Sequence, residues 1–212
     1  MYGGYGEKLF MEILGSMLDD CKNMNDEYSF GSLISEHVGN LSRDTRLFWF
    51  NYVWKHIPSR YLYQTYTDLL SDINILKGRE WINDFFSPEI LAEVTKVNNH
   101  DTVDNPKLIS LLDKDGYLPV FYGNCKKTMR NAHTWALTRD RAINVGRINA
   151  LIYGSHDFYC ITGRCKPYDI IAYLNYRNAG DIAVLSKFVQ KKNKEFFQAE
   201  DIPLVDNWGA WV

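Results

Sequence analysis

The chain has 212 residues, a formal net charge of −2, and 46% apolar and 15% aromatic residues. That composition supports a sizeable core and excludes wholesale disorder. The near-balance of 24 basic and 26 acidic residues excludes a globally basic nucleic-acid binder and leaves only local basic patches open.

In chain order, Gly3, Gly4 and Gly6 precede an apolar stripe of Leu9, Phe10, Ile13, Leu14, Met17, Leu18 and Cys21 at helical spacing. Leu47 to Trp54 (LFWFNYVW) suits strand or helix. Ser42 and Asp44 upstream as caps and Pro58 as a stop favour helix. Ser59 then caps a helix with Leu62, Tyr63, Tyr66, Leu69, Leu70 and Ile73 on one face. Ser87-Pro88-Glu89 places a cap before a proline at the first helical position, and Asn105-Pro106 repeats the device. Between them, VNNHDTVDN is polar and turn-rich and reads as a linker. From Asp115-Gly116, a turn, the pattern changes. Tyr117 to Tyr122 reads as a strand, Thr138 caps a helix towards Ile148, and Phe158 to Gly163 is a strand. Pro167 to Tyr173 holds a short helical turn leading into Leu174. Asp181 to Leu185 is a strand, and a charged tail follows Lys191 and ends in Trp208 and Trp211. The crossover helices are too few for a doubly wound sheet.

Cys21, Cys125, Cys160 and Cys165 make no CxxC pair, and Cys160 and Cys165 have no histidine at zinc-ligand spacing. They read as reduced, packed thiols of an intracellular protein. No signal peptide and no membrane-length apolar run is present, so a soluble, cytoplasmic protein with no membrane partner is expected. There is no GxGxxG, Walker A, HExxH or GxSxG. His37, His56, His100, His133 and His156 stand singly, so no metal site is expected.

From Val120 the chain reads VFYGN, then HTWALTRDRA, then FYCITGRCKPYDIIAYLNYRNAGDIAVL. It resembles a family of phage and prophage proteins with an ADP-ribosyltransferase-like fold. In that family a strand ends in Arg-Gly, and a Ser-Trp-Thr stretch opens a helix with an alanine one turn in. A strand follows, then a segment of Asp, two hydrophobics, Ala-Tyr, a hydrophobic and Asn-x-Arg, then a strand carrying Glu-x-Glu. VWKHIPSRYLY and REWINDFFSPE also look like the family's helical N-terminal region, so the resemblance spans Leu47 to Val184. It implies an α+β protein: a helical half, residues 1–104, and a small mixed or antiparallel sheet unit, residues 105–212, as two regions or one continuous domain.

The resemblance further implies NAD as substrate, no metal, and a host protein or nucleic acid as partner. Transfer from NAD breaks the nicotinamide–ribose bond through an oxocarbenium-like state. It needs an aromatic surface for nicotinamide and a carboxylate beside the ribose. By the match, Asp181 and Tyr122 hold the catalytic positions. Gly123, Thr134, Trp135, Thr138, Arg177 and Asn178 hold the cofactor-binding ones, with Gly123 where backbone can approach the ligand closely. Two positions depart from the family. Tyr122 stands where Arg, or His in the toxin-like branch, is expected, and Ala179-Gly180-Asp181 stands for Glu-x-Glu. Asp181 is one methylene shorter than Glu, and a displacement on the order of an ångström can cost about a hundredfold in rate.

Two functions follow, with a structural virion-associated protein as a third that the lack of repeats and heptads does not favour. One is an enzyme transferring ADP-ribose in phage–host conflict, favoured by Arg177, Asn178 and an acidic Asp181 in order. The other is a catalytically degenerate fold that binds a nucleotide or a host protein to counter a defence or toxin system. Plainer roles stand beside them: Tyr122 and Trp135 as core aromatics, Asp181 as a turn residue, Arg139 and Arg141 as a solvated helix face. Lys126, Lys127 and Arg130 make a local basic cluster that attracts phosphate or is simply solvated.

Overall fold

The computed structural model describes residues 5–22, 27–73, 82–125, 134–174 and 180–203. The chain divides into two units, Met1–Asn98 and Asn99–Val212.

The first unit is helical because its apolar residues recur every three or four positions. In α1 (Tyr5–Cys21), Phe10, Leu14, Met17 and Cys21 are buried, while Leu9 and Met11 on the other side are exposed. Helices α2 (Glu27–His37) and α3 (Arg43–Val53) pack against it, and α4 (Ser59–Ile73) packs against α2 and α3. LFWFNYVW is helix: Ser42 Oγ accepts the Thr45 amide at 3.3 Å and so closes the start of α3. Pro58, not Ser59, occupies the cap of α4, its carbonyl accepting the Tyr61 and Leu62 amides at 2.8 and 3.2 Å. Trp49 is fully buried, and its indole N–H donates to the Phe10 carbonyl at 3.1 Å, which ties α3 to α1. Tyr66 stacks on Phe85 of the short α5 (Ile82–Phe85), ring centroids 4.3 Å apart. Such a pair adds roughly 0.5–1.5 kcal/mol beyond burial.

Ser87 Oγ accepts the Ile90 amide at 3.3 Å and opens α6 (Pro88–Thr102). The expected linker VNNHDTVDN therefore lies mostly inside a helix. Asn, His and Asp cost little in a helix interior, and no glycine or proline interrupts the run before Asn105-Pro106. There the Asn105 side chain accepts the Lys107 amide at 3.0 Å and starts α7 (Pro106–Ile109).

The second unit is a sheet with helices, of α+β type. Its strands are β1 (Leu118–Asn124), β2 (Thr134–Ala136), β3 (Asp157–Cys165), β4 (Ile170–Leu174), β5 (Asp181–Val184) and β6 (Gln190–Gln198). They lie in the order β4-β5-β2-β1-β3-β6, every described pair antiparallel. The helical turn after Cys165 spans only Pro167–Asp169, because the β-branched Ile170 and Ile171 enter β4 directly. The residues just before the expected charged tail, and the first part of that tail, form the edge strand β6. One face carries α8 (Arg139–Ile152) through Ala142, Gly146 and Ala150, a small residue every fourth position. The other carries Leu118, Val120, Tyr122, Trp135, Tyr159, Ile161, Ile182 and Val184, packed with Leu108 and Leu112.

Candidate functional site

Strand register decides which candidate residues share a face. Tyr122 pairs with Ile161, which pairs with Lys194; Trp135 pairs with Ile182, which pairs with Tyr173. The Tyr122 and Trp135 rings lie 5.6 Å apart, joining these into one row across the sheet. The next row holds Phe121, Ala136, Asp181 and Leu174. Successive residues of a strand project to opposite faces. Asp181 therefore points to the α8 side, and Tyr122 and Trp135 point away from it. The structure does not bring the two proposed catalytic residues together.

On the α8 side, both carboxylate oxygens of Asp181 are taken by Arg141. Nε donates to Oδ1 at 2.6 Å and a terminal nitrogen donates to Oδ2 at 2.6 Å. The side chains are 8% and 17% exposed, so this is a shielded, bidentate pair and not a surface contact. Arg141 is thus no solvated helix residue. Arg139, two residues earlier, reaches Glu195 at 2.6 Å on an exposed face. The sequence signal for Arg141 was the acid opening the apolar strand Asp181–Val184: a carboxylate buried there needs a counterion.

Gly123 and Thr134 also face α8. A methyl group at Gly123 would sit 1.7 Å from the Ala142 carbonyl oxygen and 2.8 Å from the Gly146 amide. The backbone that approaches Gly123 closely is the helix itself. Thr138 is the cap residue of α8 with extended backbone, but its side chain makes no capping bond. Its carbonyl accepts the Ala142 amide at 3.3 Å. Gly180, at φ 61°, turns the chain into β5 and accepts the Leu137 amide at 3.3 Å. Arg177, Asn178, Lys126, Lys127, Arg130, Trp208 and Trp211 lie outside the described residues.

On the opposite face Tyr122 is 9% exposed and Trp135 fully buried. The Tyr122 hydroxyl accepts from the Asn124 side-chain amide at 2.7 Å. Burial, with Tyr122 next, pushes the Tyr159 phenol up to about 12. Lys194 Nζ lies 3.7 Å from the centre of the Tyr159 ring. Cys21, Cys160 and Cys165 are buried, Cys125 is half-buried, and none is in a disulfide. Among the described residues no helix is long and apolar enough to cross a membrane. No family model, no curated protein and no solved structure matches this chain.

Proposed function

We propose that the second unit is an ADP-ribosyltransferase-like scaffold of phage or prophage type that has lost NAD transfer and acts in the host cytoplasm by binding, as an inhibitor in phage–host conflict. The scaffold half of the proposal draws on sheet order: β5, β2 and β1 are consecutive, so the carboxylate position, the Thr134-Trp135 stretch and the Tyr122-Gly123 strand end are neighbours. The observation that carries the loss of chemistry is the Arg141–Asp181 pair. NAD transfer needs an aromatic surface and a carboxylate on one ligand. Here Tyr122 and Trp135 are on one side of a sheet and Asp181 on the other, with both its oxygens bonded. Freeing Asp181 for a ribose would break this shielded bidentate pair, in which the Asp181 side chain is 8% exposed.

Of the two functions expected from the sequence, the geometry favours binding over turnover. The test is incubation of the full chain with labelled NAD and host lysate, beside Asp181→Ala. The expected result is no label on protein or nucleic acid with either chain. Label that appears with the parent and disappears with the variant overturns the proposal.

A further inference from the structure

Strand β6 separates its residues by chemistry. Glu195 pairs with Cys160 and Phe197 packs beside Ala142, so both face α8. Glu195 is bonded to Arg139 at 2.6 Å, which neutralises the strand's acid on that side. Lys192, Lys194 and Phe196 alternate with them and face the other way, spaced about 6.8 Å apart along the strand. Phe196 is 68% exposed. It is not loose: it meets Tyr159 edge-on, centroids 6.2 Å apart and planes at 67°. Lys194 Nζ sits 4.8 Å from the Phe196 ring centre as well as over Tyr159. Lys192 Nζ is held by the Ser186 carbonyl at 2.7 Å and hydroxyl at 3.2 Å. The acid of β3 on this face, Asp157, stands at its far end, opposite Gln198.

We propose that this face of β3 and β6 binds single-stranded nucleic acid, a base stacking on Phe196 and phosphates meeting Lys192 and Lys194. An exposed ring fixed beside ammonium groups on a flat strand is what sequence-tolerant single-strand binding uses: stacking for the base, cations for the backbone. A duplex hides its base faces, so Phe196 has nothing to stack on there. An acidic peptide uses the lysines but leaves the ring idle. The site goes beyond the function proposed above and is independent of it. It lies at the opposite end of the sheet from β5 and on the face away from Asp181.

The experiment is fluorescence anisotropy of labelled oligothymidylate and oligouridylate, each about 15 nucleotides to span one site, titrated with the full chain at low salt. Single strands are expected to bind saturably and more tightly than a duplex of the same length. Phe196→Ala should weaken binding at least about tenfold with the salt slope unchanged. Lys192→Ala with Lys194→Ala should lower the slope of log affinity against log salt by about 1.4, two contacts at ~0.7 each. All three side chains are exposed, and matching melting curves establish that the variants are folded. Absence of saturable binding, equal binding of duplex, or undiminished binding by Phe196→Ala overturns the proposal. NAD enters none of these measurements, so failure here leaves the loss of NAD transfer untouched.

Discussion

Removing either partner of the Arg141–Asp181 pair should destabilise the sheet unit severely, whereas removing both should not. The nitrogen–oxygen distances are 2.6 Å and the side chains 17% and 8% exposed. With charge centres about 4 Å apart and an effective dielectric near 20, the attraction is roughly 4 kcal/mol. Desolvating both ions costs a similar amount, so the pair as a whole contributes little net stability. A lone survivor keeps its desolvation penalty and loses the attraction. Asp181→Leu and Arg141→Met should therefore each cost about 3–5 kcal/mol, and the two together should recover most of that loss. The assay is urea denaturation of the full chain, with hydrogen exchange of peptides from α8 and β5 reporting the sheet unit separately. A coupling energy of about 2 kcal/mol or more is expected. Single costs below about 1 kcal/mol, the range of exposed ion pairs, would refute the reasoning.

Gly123→Ala should be worse than a usual glycine substitution, because the new methyl group meets the Ala142 carbonyl at 1.7 Å and backbone must move. A loss of roughly 3 kcal/mol or more is expected in the same denaturation assay, and a neutral outcome would mean that α8 does not cross β1 there. Burial pushes the Cys160 thiol up to about 11 and the Cys165 thiol up to about 12, from an ordinary 9.0. Both folded values lie above the unfolded one, so their contribution is whole below pH 9 and is lost as pH rises from about 9 to 12. Melting temperature should fall across that interval. At neutral pH a thiol reagent should modify half-buried Cys125 before Cys160 or Cys165, which peptide mapping checks.

What the sequence conveyed well was local chemistry. Ser42, Ser87 and Asn105 each accept a backbone amide where cap rules place them, and of the expected stripe Phe10, Leu14, Met17 and Cys21 are buried while Leu9 is exposed. The small-sheet, not doubly wound, character of the second half was readable from its short strands and turns, with Gly116 at φ 71° in the Asp115-Gly116 turn, while the choice between a mixed and an antiparallel sheet was not. Less legible were elements whose residues carry weak propensity. β6 is mostly polar and charged, and it is a strand because β3 supplies its hydrogen bonds. β2 has only three residues and exists between two partners. The candidate site was harder still. Which face a residue occupies depends on register, and one step along a strand separates Ala136, beside Asp181, from Trp135, beside Tyr122. The partner of Asp181 lies 40 positions earlier on a helix, a distance that no local pattern bridges.

Nicotinamide release by the purified full chain under excess NAD tests most directly whether Asp181 serves structure or chemistry. With the carboxylate held by Arg141, release should not exceed the buffer blank, and Asp181→Glu, which supplies a longer acid at that position, should not raise it. Release above the blank that Asp181→Asn abolishes, in a variant still folded by hydrogen exchange, would contradict the assignment of Asp181 to the ion pair.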